Sequence, residues 1–301
     1  MRASDIRVPR GLEWWRAEPG GAAWLERLPQ VVVECVERWS LTLGRPFEPA
    51  TIAYVTRATL ADGTPAVLKL NFPETESEHE PDALAHWEGS GAVRLFASDP
   101  ERRALLLERC VPGTQLWEVR DEVVANGIAA DVLRRLWRPA PPRHPFRLLS
   151  EEATRWAEEL PVAWRRLGRP VERRLLDEAV AALRELGPTQ EDEVVAHQDF
   201  HGGNVLRARR QPWLAIDAKP LVGERAFDTA SLLRDRRDEL GVDPAPTRRI
   251  RRRLDQLSAE LVLDRERMRG WGIAHALAWG LEHPEILACA PWLAEARTAA
   301  V

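Results

Sequence analysis

The chain has 301 residues, 30% of them charged, with a formal net charge of −4. That length allows one large domain or two modest ones, and the slight acidic excess argues against a general nucleic-acid binder, which would be basic overall. Cys35, Cys110 and Cys289 are odd in number, far apart and without metal-ligand spacing, so they read as buried or free thiols in a reducing compartment.

At the N-terminus Arg2, Asp5, Arg7, Arg10 and Glu13 leave no apolar core for a signal peptide. No apolar run approaches the ~20 residues that span a bilayer. A cytoplasmic protein with neither membrane nor nucleic-acid partners is expected, with oligomeric state left open. Residues 21–40 carry Trp24, Leu25, Leu28, Val31, Val32, Cys35, Val36 and Trp39 on one helical face. The period then changes. Strand-like runs at 41–43, 52–60 and 65–70 follow, the last two joined through Asp62-Gly63, which marks a hairpin. A helical pattern at 76–88 ends at Gly89-Ser90-Gly91. Two more strands are expected at 92–97 and 104–108. Beyond Val111-Pro112-Gly113 helices dominate, at about 118–137, 150–166, 171–186, 247–261 and 264–282. A short β island lies at 194–216. The expected organisation is α+β, with an N-terminal part over 1–110 and a larger helical part over 111–301.

Of the 43 Lys plus Arg residues only two, Lys69 and Lys219, are lysines. In a chain that uses arginine wherever a surface cation suffices, a surviving lysine marks a place that needs a compact point charge and not a planar fork. Lys69 lies in the strand run Ala66-Val67-Leu68-Lys69-Leu70, and Lys219 lies two residues after Asp217.

The most specific stretch is His197-Gln198-Asp199-Phe200-His201-Gly202-Gly203-Asn204, followed after a short strand by Asp217. These residue types are those phosphoryl transfer requires. An acceptor hydroxyl must be oriented and lose its proton, metal ions must neutralise phosphate charge, and a cation must hold the phosphates. Asp199 suits the first role. Asn204 and Asp217 offer the oxygen donors that Mg²⁺ prefers, and Lys69 suits the last. Gly202-Gly203 allow the loop to bend back. Two rival readings remain. His197-x-Asp199-x-His201 has the alternation of a Zn²⁺ site, although that leaves Asn204, Asp217 and Lys69 unexplained. Alternatively, all are loop polars that satisfy backbone groups.

The stretches Asp62–Leu70, Gly91–Leu95, Ala104–Arg109, Val195–Leu206 and Trp213–Gly223 resemble the aminoglycoside phosphotransferase family. The branch is that of streptomycin 6-kinase and hydroxyurea phosphotransferase, and the likeness runs from about residue 40 to 280. The resemblance implies a protein-kinase-like two-lobed fold, with a small β-sheet lobe and a larger helical lobe. It also implies an ATP- and Mg²⁺-dependent phosphotransferase with an alcohol acceptor, a streptomycin-like aminoglycoside first and hydroxyurea, another antibiotic, a nucleoside or a sugar as alternatives. A nucleotide-binding pseudoenzyme is the alternative of a different class. Carried over, Asp199 is the catalytic base, Asn204 and Asp217 are the Mg²⁺ ligands and Lys69 contacts the α/β-phosphates. Lys69 should pair with Glu80, or failing that Glu78. Backbone groups of Glu108 and Cys110 should meet adenine. Lys219 is expected as a further cation of the nucleotide site, the alternative being a surface lysine that survived by chance.

Two departures stand out. The loop Glu48-Pro49-Ala50-Thr51 lacks the glycines that cover phosphates in kinases, so Thr51 and nearby amides are expected to substitute. Ala218 stands where the branch has proline. His197 and Asp228 are read as braces of the loop, and Arg248–Arg253 as a solvated helix face. A cationic acceptor calls for carboxylates, and Glu151, Glu152, Glu158, Glu159, Asp235, Asp238 and Glu239 are the candidates.

Overall fold

The computed structural model describes residues 2–298, and the chain divides after Gly113 into two units, Met1–Gly113 and Thr114–Val301. In the first, 3-10 turns at Ala3–Asp5 and Arg10–Ala17 lead into α1 (Gly21–Trp39). Five strands follow: β1 (Thr42–Pro46), β2 (Tyr54–Thr59), β3 (Pro65–Leu70), β4 (Leu95–Asp99) and β5 (Ala104–Glu108), with α2 (Glu80–Trp87) between β3 and β4. The sheet order is β1-β2-β3-β5-β4, antiparallel at every pairing. The stripe of α1 foreseen from the sequence packs on this sheet: Leu25, Leu28, Val31, Val32 and Cys35 join Tyr54, Ala58, Leu68, Leu70 and Leu106 in one core cluster. The β2–β3 hairpin turns at Gly63 (φ +85°), and Asp62 Oδ1 accepts the Thr64 N–H at 2.8 Å.

Helix α2 begins at Glu80, not at residue 76. Pro81 restricts the residue before it and fits only the first helical turn, so it fixes the start. Strand β4 likewise begins at Leu95, after the buried Ala92 and Val93.

The second unit contains α3 (Glu122–Leu136), β6 (Arg147–Leu148), α4 (Leu149–Arg166) and α5 (Arg173–Leu186). Four short strands follow: β7 (Glu193–Ala196), β8 (Val205–Arg207), β9 (Trp213–Ala215) and β10 (Leu221–Glu224). The chain continues through α6 (Ala230–Leu233), α7 (Arg237–Val242), α8 (Pro246–Leu261), α9 (Arg265–Gly280), α10 (Pro284–Leu287) and α11 (Cys289–Glu295). α9 is central. Met268, Trp271, Ile273, Ala274, His275, Ala276 and Leu277 are buried around its whole circumference, as expected of a core helix. Its neighbours are one-sided: α5 buries Leu175, Leu176, Ala179, Val180, Leu183 and Leu186 at helical spacing. Strands β6, β10 and β7 form a small sheet in that order, and β8 and β9 form a hairpin. Strand β10 was not expected from its sequence, Leu-Val-Gly-Glu, because every residue in it is buried and no alternation marks it.

Candidate active site

In the first unit, Lys69 sits in the middle of the sheet, opposite Val55 of β2 and Leu105 of β5. Its side chain is 6% exposed, and Nζ donates to Glu80 Oε1 at 2.7 Å and Oε2 at 2.6 Å. Glu80, the first residue of α2, is 1% exposed and also accepts from Asn71 Nδ2 at 3.0 Å. Buried charges persist only when paired and hydrogen-bonded, and each partner here supplies that condition for the other. Glu78 turns the other way, to Arg103 at 3.2 Å, and is half-exposed.

Thr51 is exposed, and its carbonyl accepts the Trp14 indole N–H at 2.5 Å. Glu108 ends β5. Its backbone N–H donates to Arg94 O at 2.8 Å, and its carboxylate accepts the Arg94 N–H at 3.0 Å. Cys110 is buried, and the chain closes tightly behind it: a Cβ on Gly113 (φ +82°) would lie 3.0 Å from Cys110 O. The three cysteines are buried, and burial pushes the Cys35 thiol up to about 11.

In the second unit, Asp199 and Lys219 meet at one carbonyl, with Asn204 bonded to Asp199 and Asp217 beside Lys219. His197 O accepts from the Asp199 N–H at 2.8 Å and from the Lys219 N–H at 3.0 Å. Asn204 Nδ2 donates to Asp199 O at 3.0 Å and approaches Asp199 Oδ2 at 3.4 Å. Asn204 O accepts the Ile216 N–H at 2.9 Å, which joins the loop to the residue before Asp217. Asp217 has φ +59°, a left-handed conformation that aspartate tolerates better than most residues. Its carboxylate is one-third exposed and lies 3.6 Å from Nζ of Lys219, itself buried. Burial of Lys219 counts against the surface-survivor reading.

The loop is fixed by residues far apart in sequence. Asp228 Oδ1 accepts the His197 N–H at 2.9 Å and the Gln198 N–H at 2.8 Å, while Oδ2 accepts from Trp137 Nε1 at 3.0 Å. His197 Nε2 bonds Ile216 O at 2.9 Å, so the ring carries its proton there. Burial pushes the His197 imidazole down and the Asp228 carboxyl up. Gln198, at φ +65°, is held by Arg147 through its Oε1 at 3.0 Å and by Ser231 Oγ through its backbone carbonyl at 3.1 Å.

On the other flank, Asp235 accepts the Gly202 N–H at 2.9 Å and the Trp117 indole N–H. Trp117 stacks on His201, ring centroids 5.2 Å apart and 11° from parallel. His201 Nδ1 accepts the Gly203 N–H at 3.0 Å, which leaves the ring proton on Nε2, 3.8 Å from Asp199 Oδ1. The glycines serve this packing and not a positive φ. A Cβ on Gly202 or Gly203 would stand 2.6 Å from the Trp117 ring. Sequence reading missed Trp117, Trp137 and Arg147. The only trace of Trp117 is the glycine pair it demands.

Several expectations are corrected. Asp235 is committed to the loop, Glu152 pairs with Arg147 and Arg155, Glu159 pairs with Arg155, and Glu239 pairs with Arg236 and Arg249. Of the proposed acceptor carboxylates, Glu151, Glu158 and Asp238 are simply exposed. Arg248–Arg253 is not wholly a solvated face. Arg253 is buried, bonds Glu122, and donates to the carbonyls of Leu233 at 2.9 Å and Asp235 at 2.8 Å. It thereby caps the end of α6.

The zinc reading also fails on geometry. His197 and His201 are turned to Ile216 O and the Gly203 N–H, and the described residues contain no cluster of three or more His, Cys, Asp or Glu suited to a metal. Asn204 and Asp217 instead offer one amide and one carboxylate oxygen. Such a sparse oxygen set suits Mg²⁺, which keeps its waters and takes substrate phosphate as further ligands. Among the described residues, no helix is long and apolar enough to cross a membrane.

Residues 38–283 match the profile of a family described as aminoglycoside/hydroxyurea antibiotic resistance kinase. A streptomycin 6-kinase of Streptomyces griseus is 39% identical over 290 residues, covering 94% of each chain. A hydroxyurea phosphotransferase of Kitasatospora aureofaciens is 38% identical over 291 residues, covering 93% of this chain and 82% of its own. An aminoglycoside phosphotransferase from Streptomyces rimosus, solved with ADP and streptomycin, superposes with a TM-score of 0.55 at 19% identity. It covers 84% of this chain and 99% of its own. That likeness establishes the protein-kinase-like fold.

Proposed function

The chain belongs to the aminoglycoside/hydroxyurea antibiotic resistance kinase family, and from that membership we propose that it phosphorylates a hydroxyl of a streptomycin-like aminoglycoside, conferring resistance by modification. It is a phosphotransferase that uses ATP and a hydroxyl acceptor. In the proposed reaction the acceptor oxygen attacks the γ-phosphorus in line, the bond to the β-phosphate oxygen breaks, ADP leaves, and the hydroxyl proton passes to Asp199. Asn204 holds the Asp199 carboxylate towards the acceptor and, with Asp217, holds Mg²⁺. When bound, Mg²⁺ supplies neutralisation of the charge that builds on the phosphate oxygens. Lys69, fixed by Glu80, positions the α/β-phosphates. Lys219 adds a second buried cation beside Asp217. Backbone groups of Glu108 and Cys110 receive adenine, and Thr51 contributes to the loop over the phosphates.

The observation that carries this reading is the contact of Asn204 Nδ2 with both Asp199 O and Asp199 Oδ2. It fixes a carboxylate as an acceptor on the same short loop that offers an amide oxygen to a cation. Hydroxyurea is the second reading, favoured by a relative of that name as similar as the streptomycin 6-kinase. Purified protein with ATP, Mg²⁺ and a panel of both acceptors, followed by ADP release and mass gain of the acceptor, separates the two. Asp199→Ala is expected to lower kcat by about 10²–10⁴, the range for a lost general base. Full turnover in that variant would remove Asp199 from its role. ATP binding without transfer to any acceptor would support a pseudoenzyme instead.

A further inference from the structure

Residues Arg10–Ala17 lie ahead of the family-matched region, which starts at residue 38. They wrap the β1–β2 connection, the glycine-free loop noted in the sequence. Trp14 and Trp15 stack on each other, centroids 4.1 Å apart. Each donates its indole N–H to a successive carbonyl of the loop: Trp14 Nε1 to Thr51 O at 2.5 Å, and Trp15 Nε1 to Ile52 O at 2.9 Å. Gly11 lies so close to the preceding residue that a Cβ there would stand 2.3 Å from Ala50 O. Three consecutive residues of the loop are thus held by one segment. That segment is itself anchored: Leu12 and Trp15 are buried, and Trp15 stacks on Phe72 at 4.0 Å.

We propose that Arg10–Ala17 is a brace that presets the β1–β2 loop for nucleotide, with Trp14 and Trp15 as positioning residues for ATP. The proposal rests on the reading that this loop covers the phosphates. A kinase loop rich in glycine reaches its ligand-bound shape by flexibility and loses freedom as the ligand binds. This loop has no glycine to supply that freedom. Its carbonyls are held from outside before any ligand arrives, so less ordering remains to be done on binding. Neither tryptophan needs to touch the nucleotide.

The test compares wild type, Trp14→Phe and Gly11→Ala. Trp14→Phe keeps an aromatic ring at a position 44% exposed and removes the indole donor. Gly11→Ala pushes the brace and loop apart by a different route. Amide hydrogen exchange over residues 47–53, the Kd for ADP and the KM values for ATP and acceptor are measured on each. Both variants should speed exchange in the loop and raise KM for ATP and Kd for ADP by roughly 2–10-fold, the equivalent of one hydrogen bond. KM for the acceptor should not move. Unchanged loop exchange in both variants overturns the brace. Faster exchange with unchanged KM for ATP and Kd for ADP overturns its link to nucleotide. If wild-type protein binds no ADP, the nucleotide-site reading fails and the proposal falls with it, while the exchange data still report separately whether the brace holds the loop.

Discussion

The candidate residues of the two units are stabilised in opposite ways. In the first unit, Lys69 and Glu80 form a buried ion pair, and Asn71 also donates to the Glu80 carboxylate. In the second, the loop from His197 to Asn204 is held mainly by neutral N–H groups converging on Asp228 and Asp235. The first unit rests much of that stability on a charge–charge contact. The second distributes it over many bonds of ordinary strength. Damage to the first should therefore be abrupt, and damage to the second graded.

The largest effect is expected at Glu80→Gln. It takes the Glu80 carboxylate away from the buried Lys69 ammonium, and breaking a buried pair costs about 3–5 kcal/mol. Thermal unfolding should show that loss, together with a rise in KM for ATP. A variant as stable as wild type would mean that Lys69 sheds its charge or finds another anion, and the contrast between the units would collapse.

A smaller effect is expected at the Asp235 flank. Asp235→Asn can no longer accept from both the Gly202 N–H and the Trp117 indole, and an orphaned buried donor costs about 1–3 kcal/mol. Trp117→Phe removes the indole donor and keeps a ring against His201, so its loss should be less. The double variant should show coupling, because both changes act on one carboxylate. Measured by kcat, both should slow turnover while leaving KM for ATP near its wild-type value. Strict additivity would show that Trp117 and Asp235 do not act through one contact.

The same contrast decides what was legible in the sequence. Lys69 and its glutamate lie eleven residues apart on a strand and the following helix, so the scarcity of lysine pointed to the first, and the family resemblance with helical spacing to the second. Asp199, Asn204 and Asp217 were legible for the same reason, as residues of one short stretch. The braces were not. Trp117, Trp137, Arg147, Asp235 and Arg253 come from a strand, a helix and several connections spread over the second unit. Their roles depend on tertiary approach, which no local period encodes. Asp235 was assigned to a cationic acceptor because an acidic side chain near a loop has no visible partner until the fold supplies Trp117 and Gly202. The N-terminal 3-10 segment escaped notice because eight residues with two adjacent tryptophans fit neither helix nor strand periodicity.

The smallest effect separates the two units by pH. The first unit's His79 and His86 are half-buried, whereas the second buries His197 and His275 completely. His275 is the cleaner probe. It lies in an aromatic box of Trp156, Phe227 and Trp279, and neither ring nitrogen has a hydrogen-bond partner among the described residues. Burial, reinforced by the Arg234 guanidinium, holds its imidazole well below the usual range. The native protein therefore keeps His275 neutral at a pH where the unfolded chain, with a histidine pKa of about 6.5, binds a proton. More protons bound in the unfolded state means that stability rises with pH. Stability should be intact above about pH 6.5 and fall on acidification below it, with a slope approaching 1.4 kcal/mol per pH unit, roughly, from this one group. His275→Phe removes the titration and keeps an aromatic ring in the box. Its melting temperature should fall less steeply than that of wild type between about pH 6.5 and 5. Parallel curves for the two proteins would show that His275 is not the neutral buried group that ties acid sensitivity to the second unit.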